Sequence, residues 1–158
     1  MNKRELKCVL EILELMVKTE AKVGRFYRAC AAKREEESEY WLDLAAEEDG
    51  HAGMVMRMIS LVTAHPELYT VARTPDPDYY KSFMDWIDSN TGEITNSADG
   101  GEKAVKAAQD IENAVYESKF QELVTTSDKE YQTLINEIAD QTRRHAAMVK
   151  AKAVNLIK

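Results

Sequence analysis

Residues 41–55 read WLDLAAEEDGHAGMV. In this stretch Trp41, Leu44, Glu48, His51 and Val55 fall on one line at alternating three- and four-residue steps, and Met58 and Val62 continue it, which is the spacing of one face of an α-helix. An otherwise apolar seam thus carries a carboxylate and an imidazole three residues apart, which are neighbours on a helix surface. A buried carboxylate or imidazole needs a partner to offset its desolvation, so other helices are expected to bring complementary groups to the same place.

The neighbouring segments supply them. Upstream, residues 2–32 carry Leu6, Leu10, Leu13 and Val17 and then Glu20, Gly24, Tyr27 and Ala31 on the same spacing, predicting one long helix with a carboxylate in its seam. The charged run KREEESE (33–39) is a solvated turn between this helix and the next. Downstream, periodicity fails over 65–101, which is studded with the turn formers HPEL, TPDPDYY, SNTGE and NSADGG. That segment is predicted to be a packed crossover within one domain, with a short helix begun at Pro77 and held to the bundle by Tyr80, Phe83 and Trp86. Helical spacing returns with Val105, Ala108, Glu112 and Val115, followed by Tyr116, Phe120 and Leu123. After an N-cap at Asp128 it resumes through Tyr131, Ile135, Ile138, Thr142, His145 and Val149, with Leu156 extending the line.

The fold class read from this pattern is all-α, an antiparallel four-helix bundle. Its organisation is a helical hairpin over 1–64, a crossover over 65–101 and a second hairpin over 102–158, in a single domain. Composition agrees: the 158 residues are 44% hydrophobic, enough for one sizeable core, and are dominated by good helix formers. A net charge of −7 argues against a nucleic-acid partner. No stretch approaches 18 consecutive apolar residues, and the N-terminal segment lacks the pattern of a cleaved signal, so neither membrane insertion nor export is expected and a cytoplasmic location is. Cys8 and Cys30 fall on one predicted helix about 33 Å apart, far beyond disulfide reach, and read as reduced, buried thiols. There is no Cys-x-x-Cys pair, which excludes zinc ribbons and rubredoxin-type iron centres. Phosphate-binding glycine loops and nucleophilic triads are also absent.

The polar seam residues are Glu20, Glu48, His51, Glu112 and His145. Their carboxylate oxygens and imidazole nitrogens suit iron or manganese and are less selective for zinc. A lone Glu-x-x-His carries little weight, but here a seam carboxylate precedes a seam histidine twice, Glu20 before His51 by 31 residues and Glu112 before His145 by 33. This is an internal repeat. Glu47, one residue off the seam, reads as a supporting or surface group, and His65, before Pro66, as a helix-terminal cation.

At these residues the chain resembles the rubrerythrin and ferritin-like di-iron carboxylate family. TEAKVGRFYRACA (19–31) and WLDLAAEEDGHAGMV (41–55) are similar to that family's first helix pair, and DIENAVYESKF (110–120) and EIADQTRRHAAMV (137–149) to its second. The resemblance implies that Glu20 and Glu112 are terminal ligands, Glu48 a bridging ligand, His51 and His145 the nitrogen ligands, and that Tyr27 sits beside the site. It further implies reaction with O2 or peroxide, of ferroxidase or peroxidase type, and a homodimer. One departure stands out: where the family's fourth helix has Glu-Glu-x-x-His, this chain has Gln141-Thr142-Arg143-Arg144-His145, so Thr142 replaces the second bridging carboxylate. Two iron(II) ions bring four positive charges against three seam carboxylates, so the second metal is expected to bind less tightly or to recruit water, Glu117 or Asp140. Val115 stands where some rubrerythrins have another carboxylate, and no rubredoxin-like tail is expected. Two other readings remain open at this point: a mononuclear centre using His51, His145 and Glu48, and a metal-free bundle serving as a structural or protein-interaction module.

Overall fold

A computed structural model describes residues 1–97, 101–117 and 120–156, apart from the side chains of residues 116, 117, 155 and 156. The side chains of the seam positions Tyr116 and Leu156 and of the ligand candidate Glu117 therefore lie outside the described part, as does the whole of the loop residue Gly100. Helix α1 spans Lys3–Lys33. It starts at Asn2, whose side chain accepts from the Arg4 and Glu5 amides while the Glu5 carboxylate accepts from the Asn2 amide, a reciprocal cap that satisfies otherwise orphaned donors. The charged run at its end forms a 3₁₀ turn over Glu35–Glu37, stiffened by the Arg34–Glu37 ion pair at 2.7 Å, and reverses the chain into α2, Ser38–Ala64. The two helices are antiparallel: Tyr27 stacks on Trp41, and a Cβ at Gly24 would be in ordinary contact, 3.5 Å, with the Ala45 carbonyl oxygen.

The crossover is more ordered than its turn-rich sequence suggests. Helix α3 runs for 20 residues, Pro77–Asn96, where only a short helix was expected. Asp76 caps it, and Pro77 occupies the first turn, where a missing N–H costs nothing. The residues that read as turn formers lie inside it with their side chains turned back onto the preceding turn, where they do not compete for the helix's own amides: Asn90 donates to the Trp86 carbonyl, Thr91 to that of Ile87, and Thr95 to that of Thr91. Its buried face is Tyr80, Met84, Ile87 and Ile94. Trp86, expected to pack on the bundle, is 37% exposed and stacks on Phe83 instead.

The length of α3 has a topological reason. It runs parallel to α1, with Asp88 paired to Lys22 and Arg25 and the Ser97 carbonyl near Lys33 Nζ. It therefore carries the chain back along the bundle, a distance of about 30 Å at roughly 1.5 Å per residue, so that α4, Gly101–Glu117, can start at the end where α2 started. Helix α5, Lys129–Leu156, then returns antiparallel to both α4 and α2, the latter shown by the Arg57–Glu130 ion pair. Asp128 caps α5 as expected: Oδ1 accepts from the Glu130 and Tyr131 amides and Oδ2 from the Tyr69 hydroxyl at 2.7 Å. A two-stranded antiparallel clip, β1 (Tyr69–Val71) with β2 (Val124–Thr126), ties the start of the crossover to the α4–α5 connection. Because α3 covers a second face of α1, residues off the seam, including Ile12, Met16, Val23 and Phe26, are buried too. The fold is an all-α ferritin-like bundle with a fifth helix strapped along one side.

Candidate metal centre

The five polar seam residues meet in the middle of the bundle. Glu20, Glu48, His51, Glu112 and His145 are each at most 3% exposed, on four different helices. They form two groups whose donor atoms lie within 4.8 Å of one another: Glu20, Glu48 and His51, and Glu48, Glu112 and His145. Glu48 belongs to both. Its Oε2 is 3.0 Å from His51 Nδ1 and its Oε1 is 2.9 Å from His145 Nδ1. The two imidazoles stack at 5.5 Å between ring centroids, so both present Nδ1 to the shared carboxylate.

A ring of three carboxylates in a dry core is electrostatically uncomfortable, and the groups respond. Burial, together with the charges of Glu48 and Glu112, pushes the Glu20 carboxyl well above its ordinary range. Burial also raises Glu112, although His145 and the Tyr27 hydroxyl pull the other way. For Glu48, burial is outweighed by the two histidines, which hold its carboxyl below the usual range. Burial would lower His145, but Glu112 and Glu48 outweigh it and favour the imidazolium. Burial thus pushes Glu20 and Glu112 toward their neutral forms, while Glu48 and His145 support each other's charged forms.

One atom is left poorly served. His145 Nδ1 is buried and close to Glu48 Oε1 and to Glu112 Oε1, at 2.9 and 3.7 Å, but makes no well-directed hydrogen bond to either. A buried nitrogen surrounded by carboxylate oxygens without a directed hydrogen bond fits a cation placed among them. The oxygen and nitrogen donor set suits a first-row divalent metal, so the residues present fit such a group.

Around these five stands a supporting layer. The Tyr27 hydroxyl donates to Glu112 Oε1, and burial with the nearby carboxylates keeps that phenol protonated. Tyr27 is in turn stacked on Trp41 and set edge-on to Phe26. The outer nitrogen of each imidazole is held across the α2–α5 interface: His51 Nε2 lies 2.8 Å from Gln141 Oε1, and His145 Nε2 lies 3.1 Å from Glu47 Oε2. These crossed contacts were not legible in the sequence, although both residues precede their own helix's histidine by four positions, which is a usable signal once two helices are known to face each other. Thr142 is buried, 2% exposed, at the position on α5 that Glu48 holds on α2 relative to its histidine. Asp140 cannot replace the missing carboxylate: its side chain is 65% exposed and paired with Arg143. Val115 is buried and apolar. Cys30 is buried and its thiol is pushed up to about 12 by desolvation, whereas Cys8 is only half-buried.

An antiparallel bundle of four helices, a long crossover and two carboxylate–histidine groups sharing one glutamate give a ferritin-like protein whose buried donor groups are compatible with a di-iron carboxylate centre. The family model described as Rubrerythrin matches residues 11–153, and the chain belongs to that family. No curated protein and no solved structure matches it significantly. Among the described residues, no helix is long and apolar enough to cross a membrane.

Proposed function

We propose that the chain is a non-haem iron protein of oxidoreductase type, acting on O2 or peroxide as a ferroxidase or peroxidase. The observation that carries this reading is the convergence of five buried donor residues on one shared carboxylate, Glu48. Glu112 and His145 would hold one metal and Glu20 and His51 the other, with Glu48 between them. Iron, when bound, supplies one-electron redox chemistry that these side chains lack. Manganese suits the same donors, and zinc is the less selective fit.

The chain's own residues shape what such a centre can do. Tyr27 fixes the orientation of Glu112 through its hydroxyl and keeps its proton available at that carboxylate oxygen. Burial raises the Glu20 and Glu112 carboxyls, so protons compete with a cation for these oxygens and metal binding is favoured as pH rises. Ile111, Val115 and Val55, within four positions of Glu112 and His51 along their helices, are buried and apolar, which limits water.

A second reading has its own support. With His145 protonated against Glu48, the metal-free core satisfies its charges internally, which favours a structural or protein-interaction bundle. Elemental analysis before and after anaerobic Fe(II) addition, with absorption recorded as air is admitted, separates the two. Retained iron and a new near-ultraviolet band on oxygenation are the expected result; absence of stoichiometric metal overturns the oxidoreductase reading in favour of the structural one.

A further inference from the structure

We infer that the two metal positions are ranked, and that Glu47 and Gln141, which bind no metal themselves, set the ranking: the position at Glu112 and His145 is the tight one and that at Glu20 and His51 the weak one. This rests on the metal-centre reading above.

The inference starts from an approximate two-fold symmetry. Helix α2 carries Glu47-Glu48-Asp49-Gly50-His51 and α5 carries Gln141-Thr142-Arg143-Arg144-His145, and the first residue of each run reaches across to the other helix's histidine. The contacts are equivalent in geometry, oxygen to Nε2 at 2.8 and 3.1 Å, but not in charge. His145 is held by a carboxylate and His51 by a neutral amide. In the metal-bound state Nδ1 is taken by the metal, so Nε2 carries the ring's hydrogen and donates it outward. An anionic acceptor pulls harder on that hydrogen than an amide oxygen, leaving more electron density on Nδ1 and making the imidazole a better donor. It also adds a negative charge near the cation.

A second difference between the halves points the same way: Glu112, in the His145 half, is oriented by the Tyr27 hydroxyl. Thr142 removes a bridging carboxylate from both halves alike and so cannot rank them. The ranking therefore falls to the outer contacts. Loss of an outer hydrogen-bond partner of a metal-bound histidine costs about 10- to 100-fold in affinity. The lower part of that range is expected here, because Glu47 is 37% exposed and shares its charge with Arg144 at 3.9 Å.

Titration of the metal-free protein with Co(II), followed by visible absorption, and with Mn(II), followed by electron paramagnetic resonance of the free ion, reads this directly. The wild type is expected to show two affinity classes separated by about tenfold or more. Glu47→Gln should weaken the tight class about tenfold and leave the weak class within about twofold, and Gln141→Glu should strengthen the weak class by a similar factor. His145→Ala should remove the tight class and His51→Ala the weak one. Helical circular dichroism of each variant checks that the fold is kept. Two equal sites in the wild type, or a tight class that Glu47→Gln leaves unchanged, overturns the ranking while the metal centre stands. No uptake of either ion by the wild type removes the metal centre itself, and the ranking with it.

Discussion

The two hairpins contribute to one centre on unequal terms. The first, α1 with α2, supplies Glu20, Glu48 and His51 and, through Glu47, a carboxylate that braces the other hairpin's histidine. The second, α4 with α5, supplies Glu112 and His145, but where α2 has two adjacent glutamates α5 has Gln141 and Thr142. Matching positions on α2 and α5 therefore carry an asymmetric charge distribution. A bundle can keep the architecture of a two-metal centre while its two halves diverge in how firmly they hold a cation, because position is set by helix packing and affinity by the few residues at the core.

The comparison breaks most visibly at the shared residue. Glu48→Gln should abolish uptake of both metals, since both groups include that carboxylate, and metal analysis checks it; retention of either metal would show that the halves are independent. Thr142→Glu should make the halves more alike. It is expected to raise metal stoichiometry toward two per chain and, in the metal-free protein, to cost about 3 kcal/mol, the price of a further buried carboxyl whose pKa must rise by about two units. Denaturant unfolding with and without metal reads both effects.

A smaller effect concerns acid and base. Glu20 and Glu112 have folded-state pKa values above the unfolded ones. Between the ordinary carboxylate range and those raised values, the folded chain keeps protons that the unfolded chain has lost, so stability of the metal-free protein falls as pH rises, by up to about 1.4 kcal/mol per pH unit for each such proton. Glu48 is displaced in the opposite sense, and its contribution, present above the unfolded carboxylate pKa, is lost only as pH falls through about 2, outside this window. His145, which burial would lower but Glu112 and Glu48 raise to about 11, loses its contribution to stability in the same direction of pH. Melting of the metal-free protein from pH 5 upward should therefore show the decline, and Glu20→Gln should remove only the Glu20 share of it.

The seam residues and the bundle were legible because burial imposes a period. A helix facing a core repeats every 3.6 residues, and polar groups on that line stand out. What escaped lies where the sequence carries no period. The length of α3 follows from the distance the crossover must travel, and Asn90, Thr91 and Thr95 are carried into the helix against their intrinsic preference, with their side chains bonded back to the preceding turn. The β1–β2 clip joins segments 55 residues apart, Thr70 and Thr125, and three-residue strands leave too short a pattern to recognise. The crossed contacts of Glu47 and Gln141 depend on which helices face each other, information that only the assembled bundle contains.

Smallest in effect are changes at the connections. Asp128→Ala removes the α5 cap and the acceptor for the Tyr69 hydroxyl, and should cost about 1–2 kcal/mol in denaturant unfolding, with metal affinity unchanged. In the first hairpin, a thiol reagent at neutral pH should modify Cys8 and spare Cys30 until the chain is unfolded, because Cys30 is buried and its thiol is pushed up to about 12.

The most direct test of the metal centre is anomalous scattering from crystals of the protein loaded with Fe(II), or with Mn(II), collected at the metal edge. The account predicts two anomalous peaks flanking Glu48, the stronger beside Glu112 and His145 and the weaker beside Glu20 and His51. Absence of anomalous density in the core of loaded crystals would contradict it.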